Sequence, residues 1–285
     1  MKRSDFRFLD TLRVRWSEVD MQKIVFNGHY LMYVDTAVAG YWRALALPYH
    51  DTMVQLQGDL YVRKATLEYE GSARYDDQLA VGIRCGRIGN SSLAFTTAVF
   101  RGEQRLVLGE LVYVFADPET QTSRPVPAAL RTVLSGFEAG ESMVDVQLGN
   151  WGEQGGAAQA IRHAVFASEQ GVTANLICDD ADAGAVHALA CNRFGVPLAS
   201  GRLLPASAGV AQIGRMATAA SVRGAGLGAA VLQALMNAAR DRGDREVLVH
   251  AQTSAVGFYR RAGLAPHGSV FDEAGVLHQA MRRAL

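Results

Sequence analysis

The chain has 285 residues, with 28 basic and 28 acidic side chains and a formal net charge of zero. This length favours two domains of roughly 100 to 200 residues each. The balanced charge excludes a broadly basic surface, so neither nucleic acid nor a membrane is expected as the main partner. The three cysteines, Cys85, Cys178 and Cys191, fit neither a disulfide framework nor a zinc ribbon, which favours a reducing, cytoplasmic setting.

The N-terminal segment, residues 1–7, mixes charged and apolar residues and lacks the apolar stretch of a signal peptide. Apolar runs elsewhere are short and are interrupted by charges or glycine. None approaches the roughly 20 residues that are needed to cross a bilayer. The sequence therefore predicts a soluble protein.

The first block of the chain combines one long helix with β-rich segments. Residues 8–16 alternate like a strand, and residues 27–47 form a mostly apolar helical run that stops at Pro48. Four further runs have strand composition and lie at residues 60–70, 78–87, 92–101 and 105–115. A short helix over residues 127–137 ends the block. These elements predict an α+β domain over residues 1–137.

The long helix carries an apolar face at helical spacing. Its members are Leu31, Val34, Val38, Trp42 and Leu45. We expect this face to be core rather than a pocket for an acyl chain.

A small, acidic segment separates the two blocks and predicts a linker over residues 138–144. Beyond it, helices and strands alternate through residues 145–285. Strands are predicted at residues 185–193, 197–203, 211–217 and 246–250, helices at residues 154–168, 226–242 and 254–262, and two more strands at the C-terminus. This pattern predicts a mixed α/β domain.

The second block contains a glycine-rich turn between a strand and a helix. The strand over residues 213–218 leads into Val222-Arg223-Gly224-Ala225-Gly226-Leu227-Gly228. Glycines let a backbone approach a ligand closely, and the unpaired N–H groups of a helix start favour phosphate. The turn therefore predicts a cradle for a pyrophosphate, although glycine also serves tight turns and close packing.

This turn resembles the signature of the GNAT acyltransferases, because Arg223-x-x-Gly226-x-Gly228 has the family's Arg/Gln-x-x-Gly-x-Gly/Ala form. The resemblance covers most of residues 144–285 and implies acetyl-CoA or another acyl-CoA as the donor. It implies pyrophosphate binding by the turn residues Arg223, Gly224, Gly226, Leu227 and Gly228. It also implies that backbone groups at Met216 and Thr218 hold the pantetheine and the thioester.

A second GNAT-like signature lies downstream, in Gln252-x-x-Ala255-x-x-Phe258-Tyr259. Gln252 stands where asparagine is common and is assigned to cofactor binding. The resemblance implies that Tyr259 is the general acid, since a phenol near the sulfur can protonate the departing CoA thiolate. The alternative is a tyrosine that only packs in a helix.

The general base of this domain stays open, and so does the amine acceptor. Many family members carry a glutamate on the strand where this chain has Arg215, and a guanidinium cannot serve as a base. The alternatives are His278, His187 and an ordered water molecule.

In the first block, Arg13-Val14-Arg15-Trp16-Ser17-Glu18-Val19-Asp20 is followed by Ile24-Val25-Phe26-Asn27-Gly28-His29-Tyr30 and then by the long helix. With this pattern the block resembles, over residues 6–133, the hotdog thioesterases of the 4-hydroxybenzoyl-CoA type. Asp20 matches the family's aspartate between the first strand and the central helix. Lys23 replaces a common glycine, and Asn27 takes a position that is often histidine. The resemblance implies a hotdog fold, an antiparallel sheet around a long central helix. It also implies a homodimer or homotetramer with active sites between subunits.

A thioesterase needs a carboxylate that attacks the thioester or activates water, and N–H groups that stabilise the oxyanion. Asp20 and the turn at Asn27 are the candidates for these two tasks. Alternatively, Asp20 accepts hydrogen bonds within its loop, and Asn27 caps the helix. His29 is expected to be structural.

The sequence thus predicts a bifunctional enzyme acting on CoA thioesters, with an Asp20-dependent hydrolase and a Tyr259-assisted N-acyltransferase. In a second hypothesis the hotdog half is a non-catalytic domain for oligomerisation and CoA binding. In a third, the whole chain is an acyl-CoA sensor without turnover. The seven histidines lack the short paired spacing of a metal-binding helix, so no metal is expected.

Overall fold

The computed structural model describes residues 1–173, 176–273 and 275–285. The chain forms two compact units, Met1–Met143 and Val144–Leu285. None of the helices described in either unit is both long and apolar enough to span a membrane.

The first unit is an α+β domain with a five-stranded sheet. Its strands are β1 (Phe8–Arg13), β2 (Asp59–Tyr69), β3 (Gln78–Ile88), β4 (Ser92–Arg101) and β5 (Gln104–Ala116). Its helices are α1 (Asn27–Ala44), α2 (Tyr49–Gln55) and α3 (Ala128–Glu138). The sheet is antiparallel throughout, in the order β1-β3-β4-β5-β2. The long helix α1 contacts β1 and β3, so this unit has the hotdog arrangement that was predicted.

One face of α1 is buried against the sheet, but it is rotated slightly from the predicted face. Val34, Val38 and Trp42 are buried as expected, whereas Leu31 is 41% exposed. Tyr30 and Tyr33 take the buried positions at the start of the helix. Their hydroxyl groups have polar partners inside the unit, which lets tyrosine replace an aliphatic residue there.

The end of α3 is tied into the first unit through Glu138. Its carboxylate accepts a hydrogen bond from the Tyr41 hydroxyl at 2.6 Å and another from the Cys85 backbone N–H at 2.9 Å. Met143 is buried in the same unit, and the next strand begins at Val144. Residues 139–143 connect the helix to that strand.

The second unit is a mixed α/β domain with an eight-stranded sheet. Its strands are β6 (Val144–Gly149), β7 (Val186–Asn192), β8 (Pro197–Ser207), β9 (Val210–Thr218), β10 (Glu246–Gln252), β11 (Ala265–Pro266), β12 (Phe271–Glu273) and β13 (Val276–Ala284). Its helices are α4 (Trp151–Arg162), α5 (Leu227–Arg242) and α6 (Val256–Arg261), and a π-helical segment at His163–Glu169 follows α4. The main strand order is β11-β13-β10-β9-β8-β7-β6, and β12 pairs with β13.

Two neighbouring strands of this sheet separate along their length. β9 and β10 run parallel, and their pairing ends at Val249 and Ile213, although the strands continue to Gln252 and Thr218. Within β9, the register against β8 shifts at Arg215, whose φ is 52°. This bulge increases the local twist and opens a gap between β9 and β10.

The cores on the two faces of the sheet identify which helix covers each face. Ala217 of β9 packs with Ala158 and Ile161 of α4. On the opposite face, Gly201 lies under Val231 of α5, and a Cβ atom there would be 2.9 Å from the valine side chain. Helices α4 and α5 therefore cover opposite faces of the sheet.

The second unit also buries an ionic cluster beside α4. Asp182 accepts hydrogen bonds from Arg162 at 2.9 Å and from Arg202 at 2.8 Å, and all three side chains are almost fully buried. Burial raises the pKa of Asp182, but the two arginines more than offset it, so the net pKa is lowered. Asp179 lies beside the cluster, and the Arg202 guanidinium holds its pKa at about 2.

Removal of the central carboxylate should destabilise the second unit. We expect Asp182→Ala to lower its free energy of unfolding by about 3 to 5 kcal/mol, because two buried guanidinium groups lose their counterion. Since the pKa of Asp182 is lowered on folding, its contribution is complete above the ordinary carboxyl pKa and is lost as the pH falls through the lowered value. Hydrogen exchange of the β7 and β8 amides, measured in the full chain, reports the free energy of unfolding of this unit.

Asp180→Ala is the matched control, because Asp180 is an exposed carboxylate of the same segment. It should change the free energy by no more than about 0.5 kcal/mol. Equal protection of β7 in the two variants would contradict the role assigned to the cluster.

Candidate active sites

In the first unit, Asp20 begins a tight turn between β1 and α1. The Lys23 N–H donates to the Asp20 carbonyl at 2.9 Å, and the Gln22 N–H donates to the Asp20 Oδ1 at 2.8 Å. Lys23 has a φ of 62°, a conformation that suits glycine better than lysine. The turn holds Asp20 half-buried and leaves Oδ2 unengaged by the described residues.

A buried carboxylate two residues earlier anchors this turn. Glu18 Oε2 accepts hydrogen bonds from the Tyr33 hydroxyl and from the Arg15 N–H, both at 2.7 Å. Its carbonyl accepts from the Phe26 N–H at 3.0 Å, across the base of the loop. Burial, followed by the hydrogen bond to Glu18, raises the pKa of Tyr33. Glu18 therefore ties both ends of the loop to α1.

The start of α1 has no side-chain cap. Phe26 occupies the N-cap position, so Asn27 is the first helical residue and does not cap the helix, contrary to the alternative raised from the sequence. Within the described first unit, the backbone N–H groups of Asn27 and Gly28 have no acceptor. The Asn27 carbonyl accepts from the Tyr69 hydroxyl at 3.1 Å. Two free N–H groups and a positive helix end suit a developing oxyanion.

Asp20 and Asn27 border one pocket of about 400 Å³. The wall also includes Phe26, Tyr30, Tyr69 and Ser72. The tyrosines were not predicted as part of a site, because Tyr69 lies on a strand about 40 residues beyond the turn and only the fold brings it there. The pocket thus combines a carboxylate, free N–H groups and aromatic walls.

In the second unit, the glycine-rich turn leads from β9 to α5 with two left-handed residues. Gly224 has a φ of 88° and Gly226 a φ of 87°, and Gly226 is the N-cap of α5. Among the described residues, the N–H groups of Gly224, Gly226, Leu227 and Gly228 have no backbone acceptor. Such a row of free N–H groups at a helix start can bind phosphate.

Arg223 and Gly228 set the position of this turn. The Arg223 guanidinium donates to the Thr218 carbonyl at 3.1 Å and to the Glu169 carboxylate at 2.7 Å. A Cβ atom on Gly228 would lie 3.2 Å from the Thr218 Oγ1, so glycine lets α5 approach the end of β9 closely. Arg223 is thus engaged with protein groups, one of which is the Thr218 carbonyl.

Tyr259 lies in α6, beside the start of α5. The Phe258 ring would be 3.7 Å from a Cβ atom on Gly228, and the rings of Phe258 and Tyr259 are 4.9 Å apart. Tyr259 is 6% exposed, and burial raises its pKa to about 12. Like that of an ordinary tyrosine, its phenol is protonated at neutral pH and can donate a proton to a leaving thiolate. Met216 lies on β9 at the start of the gap, half-buried.

Gln252, His187 and His278 are the other residues that the sequence suggested for this site. Gln252 is the last residue of β10, and its side-chain amide donates a hydrogen bond to the Gln170 side chain at 3.0 Å. His187 is fully buried, with its Nε2 2.9 Å from the Asp182 carbonyl and its Nδ1 3.3 Å from Arg162. Burial lowers its pKa, so it is a neutral core residue out of reach of a substrate. His278 pairs with Gln252 across β13 and β10, and its Nδ1 is 2.8 Å from the Val276 carbonyl.

Two family models match the chain, one in each unit. A model described as "Thioesterase superfamily" matches residues 22–108. A model described as "Acetyltransferase (GNAT) domain" matches residues 166–285. The first match includes the pocket from Gln22 to Tyr69 but begins after Asp20, and the second includes the glycine turn and Tyr259.

Similar proteins are found for each unit separately. Acyl-CoA thioester hydrolase YbgC of Escherichia coli is 26% identical over 124 residues, which are 42% of this chain and 89% of that protein. The "Uncharacterized N-acetyltransferase YjcF" of Bacillus subtilis is 31% identical over 124 residues, 43% of this chain and 87% of that protein. Slr0204, a 1,4-dihydroxy-2-naphthoyl-CoA thioesterase from Synechocystis, has a TM-score of 0.42 and 14% identity, over 46% of this chain and 97% of its own.

The left-handed glycine at the start of α5 yields a testable prediction. Gly226→Ala should lower the free energy of unfolding by about 1 to 2 kcal/mol, because a side chain at this φ is strained even though the space around it is open. Denaturant unfolding measures this change. In the control Gly156→Ala, the residue lies inside α4 at ordinary φ with open space around it, so the substitution should be stabilising by up to about 1 kcal/mol. Destabilisation by both variants alike would contradict the prediction.

Proposed function

The chain belongs to the thioesterase superfamily through its first unit and to the GNAT acetyltransferases through its second, and on this premise we propose that it is a bifunctional enzyme of CoA thioesters. The first unit hydrolyses an acyl-CoA. The second unit transfers an acetyl or other acyl group from CoA to an amine. The observation that carries the proposal is that each unit places a free helix start beside an ionisable side chain suited to its reaction.

In the hydrolase, Asp20 either attacks the thioester carbonyl or activates a water molecule that does so. The N–H groups of Asn27 and Gly28 then stabilise the oxyanion, aided by the positive end of α1. Support comes from the common pocket of Asp20 and Asn27 and from the turn that leaves Asp20 Oδ2 unengaged. The acyl group contacts the walls near Tyr30 and Tyr69.

In the transferase, the free N–H groups of the glycine turn (Gly224, Gly226, Leu227 and Gly228) bind the pyrophosphate of the donor. Arg223 braces the turn through Thr218 and Glu169. The thioester enters the gap between β9 and β10 near Met216. Tyr259, whose phenol is protonated at neutral pH, protonates the CoA thiolate as it leaves. Gln252 closes the end of the gap.

The decisive experiment for the hydrolase measures free thiol release from acetyl-CoA, benzoyl-CoA and decanoyl-CoA without an amine. We expect Asp20→Asn to lower the rate at least about 100-fold, because the amide can neither attack nor take a proton. Tyr259→Phe should leave it unchanged, because that residue lies in the other unit. Asp51→Asn is the control, as Asp51 is an exposed carboxylate on α2 of the same unit.

Two results would contradict the hydrolase. If the wild type releases no thiol from any of the three donors, the first unit serves assembly or CoA binding. If Asp20→Asn and Asp51→Asn hydrolyse at equal rates, the reaction does not depend on the Asp20 carboxylate.

The proposal includes assembly as a homodimer through β2. This strand forms one edge of the sheet, and its side chains are exposed along most of its length, with Val62 at 55% and Tyr69 at 51%. An unpaired edge of this length is an open template for another strand. Tyr69 ends β2 and lines the pocket, so a second copy on this edge would border the pocket.

The three free thiols are compatible with a reducing compartment such as the cytoplasm.

We expect Val62→Asp to yield a monomer, because each copy would then place a buried charge at the shared edge. Light scattering after gel filtration measures the mass. Val54→Asp is the matched control, because Val54 is 64% exposed on α2 and is not on the edge. A monomeric wild type, or dissociation of both variants alike, would contradict the assembly through β2.

A further inference from the structure

His250 lies at the point where β9 and β10 separate. It follows Val249, the last residue of β10 that pairs with β9. Val249 and Ala251 are buried, so alternation along the strand turns His250 to the opposite face, together with Gln252. Gln252 bonds to Gln170, directly after the π-helical segment that extends α4. His250 therefore faces the α4 side of the gap.

A carboxylate and an aromatic ring hold the His250 imidazole. Its Nδ1 lies 3.4 Å from the Glu273 Oε2 on β12, and the Phe271 ring is 5.0 Å away, nearly perpendicular. His278 of β13 also stacks on Phe271, with the ring centroids 6.0 Å apart. On β13, Ala280 lies opposite His250, and the ionisable His278 and Arg282 flank it on the same face; Glu273 is the carboxylate of β12 in contact with His250. The contact at Nδ1 leaves Nε2 for another partner.

Tyr259, the proposed acid, and His250 lie on opposite sides of the gap between β9 and β10. Tyr259 is in α6, whose Phe258 packs beside the start of α5, and α5 covers the face opposite α4. A donor bound by the glycine turn at the start of α5 therefore enters from the α5 side. An amine that attacks its carbonyl must then approach from the α4 side, where His250 lies.

We propose that His250 is the general base of the transferase and that Glu273 is its positioning residue, an assignment that rests on the proposed acyl transfer. His250 Nε2 first removes a proton from the alkylammonium acceptor, which frees the lone pair of the amine. The nitrogen then forms a bond to the thioester carbon and loses its second proton to solvent as the amide forms. The C–S bond then breaks, and the thiolate takes a proton from the Tyr259 hydroxyl. Solvent carries a proton from His250 back to Tyr259, so the cycle closes without another reactant.

The other residues considered for this task are less well placed. Arg215 cannot accept a proton and is paired with Asp179 at 2.8 Å. His187 has no exposed surface. His278 lies on β13, one strand further from β9, and its Nδ1 is next to a backbone carbonyl rather than a carboxylate. His250 alone among the described histidines combines a carboxylate partner with a position at the separation of the strands.

The test compares two acceptors that differ in their need for a base. An alkylamine such as phenethylamine is protonated near neutral pH, whereas hydroxylamine is already unprotonated there. Acetyl-CoA is the donor, and all variants carry Asp20→Asn to remove hydrolysis by the first unit. The uncatalysed reaction of hydroxylamine is subtracted. The variants are His250→Gln, Glu273→Gln and His278→Gln, with the exposed His267→Gln as control.

We expect His250→Gln to lower transfer to phenethylamine about 100-fold or more and to preserve most of the transfer to hydroxylamine. In a further variant, His250→Ala, added imidazole should restore part of the rate with phenethylamine. Glu273→Gln should lower the phenethylamine rate selectively and by less. His267→Gln should match the parent with both acceptors.

Each other outcome overturns a defined part of the proposal. An equal loss with both acceptors would mean that His250 supports the structure only. A selective loss in His278→Gln with an active His250→Gln would assign the base to His278. If the Asp20→Asn parent transfers acetyl to neither acceptor, the proposed acyl transfer is wrong, and so is the role of His250 that rests on it.

Discussion

Both sites depend on a helix whose first N–H groups are left without acceptors. Among the described α-helices, α4 satisfies such groups with side chains, through Asn150 and Glu153. At α1 and α5 the N-cap residues are Phe26 and Gly226, which have no side-chain oxygen to offer. The free N–H groups are a cost to stability unless water or a ligand bonds to them. The described helices α2, α3 and α6 also lack a side-chain cap, so what distinguishes α1 and α5 is that the free N–H groups at their starts border a candidate active site.

The residues around these helix starts hold their geometry in different ways. At α1, Glu18 does so: its buried carboxylate accepts from the Tyr33 hydroxyl and the Arg15 N–H, and its main-chain carbonyl accepts from the Phe26 N–H. At α5, Arg223 bridges the end of β9 and the end of the π-helical segment. Each brace is a charged side chain bonded to backbone groups, and such bonds are stronger than neutral ones.

Much of the fold could be predicted because its signals are local. The helical run after residue 26, the four strand-like runs and the glycine turn each occupy neighbouring residues, and the two-family organisation follows from them. The short strand β6 and the helix α2 were not predicted. β6 is half-exposed and rich in polar residues, and only its pairing with β7 makes it a strand. The predicted helix over residues 154–168 begins at Trp151 because Asn150 caps it, and it changes to π-helical geometry at His163.

The parts of the sites that could not be predicted are those that the fold brings together from distant positions. Asp20 and Asn27 are seven residues apart, and a motif can describe them, but Tyr69 reaches the same pocket from the edge strand. His250 and Glu273 are 23 residues apart and meet because β12 folds back on β13, next to β10. Single histidines give no sequence signal for catalysis. It is the carboxylate contact and the strand separation that distinguish His250 from His187.

The two proposed reactions oppose each other if they use the same donor, because hydrolysis would consume the thioester that the transferase needs. Joining the domains in one chain raises the local concentration of whatever one site releases near the other, but it does not separate their substrates. Separation must come from the acyl pockets. The first unit surrounds its pocket with the rings of Phe26, Tyr30 and Tyr69, which suit a large apolar or aromatic acyl group. In the second unit, the place proposed for the thioester is the gap between β9 and β10, at the bulge of Arg215. The two proposed sites thus differ in their surroundings, one lined by aromatic rings and the other by two diverging strands, and both reactions can proceed in one molecule if this difference gives them different acyl groups.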